Sequence, residues 1–321
     1  MSKFVTFLKN WALKNWALPV SMAAGVASYF IFAALHLPSA AHVFANKLVA
    51  FLQPAILFCM LFLSFSKIDP KTVRFRPWHA WLLLIQGGTY VLMVLLLCLT
   101  DFSESVDILI ESFMLCMICP TATAAVVVTD KLGGDMASTV TYTMMINVLT
   151  AFLISVSVPL LNPDTTMSFM QALGTMMGKV FSILVLPLIL ALLVRYFLPK
   201  VNAIVCKPKD LAFYLWTICL ALALAITTRS LVHTDIAWSY IVGIGVISAA
   251  TCVLQFALGH KVGEKYSDSV TAGQSLGQKN TMFLIWVAYT FMNPVTSLAG
   301  GLYSIWHNLY NSWQLYQARN K

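Results

Sequence analysis

The most unusual chemical group in the sequence is the ammonium of Lys279, which stands in the middle of an apolar segment that runs from Ser269 to Phe291. About ten residues, or ~15 Å of helix, separate Lys279 from either end, too far for its side chain to reach an interface. The nine residues Gly273 to Thr281 around it include two glycines and six polar side chains. An ionisable group at this depth predicts a functional site, and the polar, glycine-containing stretch predicts an interrupted helix.

A second polar patch lies in the segment from Ser105 to Thr129, where Pro120 is followed by two threonines. Proline removes a backbone hydrogen bond and crowds the preceding turn, which predicts a second interrupted helix. Pro120 and Gly277 lie 157 positions apart in a chain of 321 residues, close to half its length. Matched breaks of this kind predict an internal repeat and a transport site near the membrane midplane. Two unrelated kinked helices are the alternative.

Three further groups in apolar segments allow more than one interpretation. Cys116 and Cys119 form a C-x-x-C pair, but no second ligand pair accompanies it, so helix packing is favoured over metal or redox chemistry. Glu111 is either a proton-titratable group or a residue that lines an outer vestibule. Lys179 either extends to an interface, lies between domains or serves function.

The composition excludes a soluble globular domain. Hydrophobic residues make up 60% and charged residues 10% of the chain, whereas about a quarter of the residues in soluble domains are charged. An all-α membrane protein with ten transmembrane helices is predicted. The ten segments are Trp16 to Leu37, Leu48 to Phe65, Trp78 to Leu99, Ser105 to Thr129, Met136 to Leu161, Phe169 to Leu198, Leu211 to Thr228, Ile236 to Leu258, Ser269 to Phe291 and Pro294 to Tyr316.

The distribution of lysine and arginine predicts the orientation of these segments. With the N-terminus in the cytoplasm, sixteen basic residues fall inside and only Lys47 and Arg229 fall outside, as the positive-inside rule requires. Both termini are therefore expected in the cytoplasm, in a bacterial inner membrane. Five helices per half make the repeat an inverted one, with residues 1–162 as the first repeat and 163–321 as the second. The basic residues lie in short loops, so no nucleic-acid partner is predicted.

Three stretches resemble the bile acid/sodium symporter family. Cys119-Pro120-x-x-Thr123-Ala124 is similar to its C-P-G-G-T-A crossover, Gly277-x-x-Asn280-Thr281 to its G-x-Q-N-S crossover, and Tyr303 to Asn308 to its S-x-W-H-N stretch. The resemblance implies a panel and a core domain, each built from both repeats, with helices four and nine crossing in the core and alternating access between the domains. It also implies substrate contacts from residues beside the positive N-termini of the half-helices, namely Thr123, Asn280, His307 and Asn308.

The sequence departs from the family at the sodium ligands. Family members use a glutamate in E-x-G-x-Q-N and a Ser-Asn pair in helix four, and these positions are occupied here by Ser275, by Lys279 in place of the glutamine, and by Ala125-Val126. Four polar residues remain as candidates, although hard cations prefer charged or multiple oxygen ligands and a lone amide usually joins two helices. They are Gln86, Thr143, Asn147 and Gln278.

The charge at the crossover offers an explanation for this departure. In the family pattern, two sodium ions and one glutamate give a net charge of +1, and Lys279 with Ser275 gives the same charge without sodium. We therefore predict transport that is not coupled to sodium, with proton coupling and substrate-driven exchange both open. The alternative is a structural Lys279, with sodium bound through the remaining polar groups.

The resulting prediction is a secondary transporter of an organic anion, either bile acid-like, pantoate-like or another carboxylate. A membrane receptor or channel without coupled transport is the alternative. An enzyme is not predicted, because H-E-x-x-H, G-x-S-x-G and paired intramembrane aspartates are missing from the sequence. The expected partners are the small organic anion and the lipid bilayer, with no cofactor and no metal, and the protein is expected to be a monomer.

Overall fold

The computed structural model describes residues 17–35, 38–67, 71, 73–162, 167–208, 211–233 and 236–319. The predicted ends of the first segment, Trp16 and Leu37, lie outside the described residues. The same is true of the lysines that precede that segment and of residue 163, where the second repeat was predicted to begin.

The described part of the chain is helical throughout, with a single isolated bridge between Thr121 and Lys279 as its only extended pairing. Fourteen α-helices and a 3-10 turn at Pro294–Thr296 follow one another. The helices are α1 Ala17–Ala34, α2 Ser39–Ser66, α3 Pro77–Leu99, α4 Glu104–Ile118, α5 Ala124–Lys131, α6 Met136–Leu161, α7 Phe169–Leu184, α8 Leu186–Phe197, α9 Pro199–Cys206, α10 Leu211–Val232, α11 Trp238–Glu264, α12 Ser269–Gly277, α13 Thr281–Phe291 and α14 Ser297–Arg319.

Several of these helices are long and apolar enough to cross a membrane. Four of them, α2, α3, α6 and α11, meet that criterion alone, and α7 with α8 makes a fifth if the bent pair is one span. Shorter apolar stretches occur at Val20–Ala34, Tyr214–Arg229 and Thr281–Phe291. The protein is therefore an all-α integral membrane protein.

The helices differ from those predicted in several places. Helix α2 begins at Ser39, whereas the sequence predicted Leu48. Residues such as Asn46 and Lys47 lower the hydropathy of its first turns but do not prevent them from being helical. The predicted segment from Phe169 to Leu198 bends by 47° at Val185. Pro187 explains the bend, since its ring crowds the carbonyl four residues earlier and it has no N–H to donate. Helix α9 was predicted as a loop and buries none of its residues.

Helix breaks occur at both predicted positions, and the two breaks pair with each other. Helix α4 ends at Ile118 before α5 begins at Ala124, and α12 ends at Gly277 before α13 begins at Thr281. The N–H of Ala122 donates to the carbonyl of Gln278 at 2.9 Å, and the N–H of Asn280 donates to the carbonyl of Pro120 at 2.8 Å. Each break thus supplies backbone partners that lipid cannot provide. We call this region, residues 119–123 and 278–280, the crossover.

Close packing of α11 against α12 holds the second break in position. A Cβ added at Gly259 of α11 would lie 2.6 Å from the carbonyl oxygen of Ala272 and 2.8 Å from Cα of Gly273. These atoms belong to backbone, which cannot move aside as a flexible side chain does. The absence of a side chain at Gly259 therefore permits the contact.

A substitution at this glycine tests the packing. We expect Gly259→Ala to lower the melting temperature of the detergent-solubilised protein, because overpacking costs typically about 1–3 kcal/mol. Gly88→Ala in α3 is the matched control, since nothing lies within 4 Å of a Cβ added there. The control should leave the melting temperature unchanged or raise it, because alanine favours helix. Equal melting temperatures for the two variants would contradict the close approach.

Candidate functional site at the helix crossover

The C-terminal end of α4 is the most heavily hydrogen-bonded point of the crossover. The last carbonyls of a helix lack partners within it and carry its partial negative charge. At α4, each carbonyl from Cys116 to Cys119 accepts a hydrogen bond from a side chain of another segment. The donors are Gln255 Nε2 to Cys116 at 3.1 Å, Gln86 Nε2 to Met117 at 2.7 Å and to Cys119 at 3.3 Å, Lys279 Nζ to Met117 at 3.2 Å, and Thr150 Oγ1 to Ile118 at 2.9 Å.

Lys279 is enclosed at this point. Only 1% of its surface is exposed, and its ammonium donates to the carbonyl of Met117 at the negative end of α4. Within the described part of the chain, no carboxylate lies within 4.0 Å of Nζ. The ammonium therefore interacts with a helix end and not with a carboxylate of the described residues.

Two glutamine–tyrosine pairs connect the crossover to the surrounding helices. In the first half of the chain, the hydroxyl of Tyr142 donates to Oε1 of Gln86. In the second half, Nε2 of Gln255 donates to the hydroxyl of Tyr303 at 3.0 Å, and this hydroxyl donates to the carbonyl of Gly277 at 2.8 Å. Tyr303 thus caps the end of α12. Of these four residues only Gln86 was predicted as a site residue; the others are buried polar side chains in apolar segments, a signal that was available in the sequence.

Two side chains stabilise the second break. Thr121 donates to the carbonyl of Ser275 at 2.6 Å. Asn280 caps α13, since its Oδ1 accepts the N–H of Phe283 at 3.3 Å. Thr123 precedes α5 and is half-buried, without a capping hydrogen bond from its side chain. The N-termini of α5 and α13 therefore begin at the same crossover, and both carry partial positive charge.

Several predicted polar residues retain hydrogen-bonding capacity in the described structure. Both polar atoms of the Asn147 amide, Oγ of Ser275 and Oε1 of Gln278 are buried without a protein partner. Thr143 is different, because it donates to the carbonyl of Thr139 in its own helix at 2.8 Å. Buried polar groups without partners are rare and indicate water or a ligand at the site.

The predicted residues of α14, His307 and Asn308, follow Tyr303, whose hydroxyl reaches the end of α12. His307 is 5% exposed, its ring centroid lies 5.7 Å from that of Tyr303, and its Nδ1 has no partner among the described residues. The amide of Asn308 donates to the carbonyl of Ser304 in the same helix at 2.7 Å. The structure thus brings Lys279 and Gln86 to one carbonyl, places His307 beside Tyr303, and engages Asn308 within its own helix. Substrate binding by Thr123, Asn280, His307 and Asn308 stays a prediction.

A cavity of about 640 Å³ lies elsewhere, at the start of α6 and α12. Asp135 and Asp268 line it, and Arg76 lies 3.7 Å from a carboxylate oxygen of each. Trp78 Nε1 also donates to Asp268 at 3.0 Å. None of the predicted substrate residues lines this cavity. Its charged residues tie the loops before α3, α6 and α12 together, which is a structural role.

The comparison with known families covers more than half of the chain. A family profile described as Sodium Bile acid symporter family matches residues 57–234. The match includes the first break at Pro120 and ends before α11, so that Lys279 and α14 lie beyond it. A search of curated proteins finds no match.

Proposed function

The chain belongs to the sodium bile acid symporter family, and we propose that it is a secondary transporter of a small organic anion that works by alternating access. The members of this family are transporters. A bile acid-like, pantoate-like or other carboxylate substrate fits the net charge of +1 that Lys279 and Ser275 give to the crossover. The protein acts as a monomer without a cofactor, in a bacterial inner membrane.

The observation that carries the proposal is the position of the Lys279 ammonium at the end of α4. A sodium ion in this place, like other hard cations, would need several oxygen ligands. The carbonyls from Cys116 to Cys119 already accept hydrogen bonds from side chains, one of them from Lys279 itself. This arrangement supports transport without sodium, because the charge that two sodium ions and a glutamate would supply is built into the chain.

The proposed architecture has ten membrane crossings in two inverted repeats, residues 1–162 and 163–321. The paired breaks support it, since each interrupted helix supplies backbone partners to the other. The two glutamine–tyrosine pairs support it as well, because each half of the chain places one such pair at the crossover. The excess of basic residues on one side supports cytoplasmic termini.

The substrate is proposed to bind where the N-termini of α5 and α13 meet Lys279. Helix N-termini and an ammonium are complementary to a carboxylate. Thr123 and Asn280 stand at those N-termini, and His307 carries an unpartnered ring nitrogen nearby. In this site Asn280 has two roles, because its side-chain oxygen caps α13 while its amide nitrogen remains for the substrate.

Uptake into proteoliposomes tests the proposal. Purified protein is assayed with labelled taurocholate, pantoate and short carboxylates, with sodium or choline outside and with or without a pH gradient. We expect saturable uptake of at least one anion that is the same in sodium and in choline. Conductance without saturation would indicate a channel, and binding without flux would indicate a receptor; either result contradicts the proposal.

A further inference from the structure

Helix α7 has two different sides although it belongs to an apolar segment. Its buried side packs through Met176, Val180, Ile183 and Leu184. Its open side carries polar side chains at helical spacing, and all of them are exposed. We call this open side the polar face of α7, formed by Gln171, Thr175, Lys179 and Ser182.

Lys179 is the charged group of the polar face. Its Nζ lies 5.4 Å from the ring centroid of Phe291, at the end of α13. The amide of Asn162, which follows α6, donates to the carbonyl of Phe291 at 3.3 Å. The ammonium thus lies at the junction of α7 with the ends of α6 and α13, and in the described structure no carboxylate lies within 4.0 Å of it.

The space beside the polar face is open. Nothing lies within 4 Å of a Cβ added at Gly174 or at Gly178. Lys179 is ten residues from the first residue of α7, and its ammonium lies beside Phe291 at the end of α13. Ionisable residues within membrane segments face a water-filled cavity or the protein interior and mark substrate pathways. Water beside the polar face would solvate the Lys179 ammonium and fill the open space.

Two other neighbours for this face are disfavoured by charge. The spacing of Gly174, Gly178 and Ser182 would suit a helix from a second copy of the chain. A symmetric contact of that kind would bring two Lys179 ammonium groups together without a counter-ion. Lipid tails would leave the same charge unsolvated. A small anion in water is the neighbour whose charge complements this surface.

We propose that the polar face of α7 lines an aqueous vestibule and that Lys179 binds the carboxylate or sulfonate of an anion there, before the anion reaches Lys279. The site is separate from the crossover, since Lys179 lies beside Phe291 at the C-terminal end of α13, whereas the crossover adjoins the N-terminal end of that helix. The binding of the transported substrate at Lys179 rests on the proposed anion transport. The vestibule and its positive field do not depend on that function.

Charge-dependent thiol labelling tests the vestibule without any need for uptake. A cysteine is introduced by Ser182→Cys, about one helical turn from Lys179, and is treated with membrane-impermeant methanethiosulfonates. One reagent carries a sulfonate and the other a trimethylammonium. We expect the anionic-to-cationic ratio of labelling rates to fall about fivefold when Lys179→Gln is added. A unit charge about 8 Å away in water attracts the anionic reagent by about 0.5 kcal/mol and repels the cationic reagent by the same amount, and the ratio reflects the sum of the two.

Controls separate this result from labelling elsewhere. The protein with only its native cysteines gives the baseline. Leu193→Cys on α8, at an exposed apolar position, should not react with either reagent. Lys179→Arg keeps the charge and should keep the ratio. In the uptake assay, Lys179→Gln should raise KM about twofold with kcat unchanged, because a single anion loses only one of these two energies.

Several outcomes would overturn the proposal. A Ser182→Cys thiol that no impermeant reagent reaches would mean that the polar face lies in lipid. Oxidation of this variant to a disulfide-linked dimer would assign the face to a second copy. A labelling ratio that is the same with and without Lys179→Gln, or an unchanged KM in this variant, would show that Lys179 does not bind an anion. A protein that labels as expected but transports no anion would refute the proposed function and leave the vestibule intact.

Discussion

Replacement of Lys279 by glutamine is expected to lower kcat/KM for the anionic substrate about a hundredfold. The variant removes the only formal charge among residues 119–123 and 278–280. A unit charge about 6 Å from an anion is worth about 3 kcal/mol at an effective dielectric constant of 20, and each 1.4 kcal/mol is a factor of ten. Gln86 still donates to the carbonyl of Met117 in this variant, so the helix end keeps a donor and the loss reports mainly the charge.

Lys279→Arg is the matched variant, because it keeps the charge and changes the shape. We expect it to retain more activity than Lys279→Gln, with both variants first compared by melting temperature and monodispersity. Initial rates are measured with choline in place of sodium for the wild type and each variant. If choline abolishes wild-type uptake while Lys279→Gln leaves it unchanged in sodium, Lys279 does not replace the cation and the proposed mechanism is wrong.

The breaks could be predicted because they are local properties of the sequence. Pro120 cannot continue a helix without loss of a hydrogen bond, and Gly277 stands among polar residues that lipid does not tolerate. The bend at Val185 was missed although Pro187 causes it by the same mechanism, because a hydropathy window does not register a single proline. The start of α2 was missed because polar residues in its first turns lower the hydropathy without ending the helix.

The hydrogen bonds at the crossover could not be predicted because their partners are far apart in the chain. Gln255 lies 139 positions from Cys116, and Lys279 lies 162 positions from Met117. A buried glutamine in a membrane segment indicates that it has a hydrogen-bond partner on another helix, but it does not indicate which residue that partner is. Sequence reasoning therefore identified Gln86 and Lys279 as separate candidates. Only the structure brings both to the same carbonyl oxygen.

Restoration of the family's acidic ligand is expected to make transport depend on sodium. The double variant Ser275→Glu with Lys279→Gln changes residues 275–280 from Ser-Leu-Gly-Gln-Lys-Asn to Glu-Leu-Gly-Gln-Gln-Asn, which conforms to E-x-G-x-Q-N. Its crossover has a charge of −1 without sodium and +1 with two sodium ions. We expect no uptake of the anion in choline and recovered uptake in sodium, whereas the wild type is proposed to take up the anion equally with either cation.

Stepwise variants separate charge from ligand geometry. Ser275→Glu alone places a carboxylate beside Lys279 for a net charge of zero, and we expect little uptake with either cation. Addition of Ala125→Ser and Val126→Asn to the double variant supplies the Ser-Asn pair of the family and should lower the sodium concentration that is required.

Sodium should also raise the melting temperature of the double variant over choline, because a ligand at a hundred times its Kd stabilises the folded state by about 2.7 kcal/mol. The wild type should show no such shift, since we propose that Lys279 takes the place of the ion beside the carbonyls from Cys116 to Cys119, which already accept hydrogen bonds. A sodium-dependent shift in the wild type would show that the cation site persists beside the lysine. The charge argument would then fail even if Lys279→Gln is inactive.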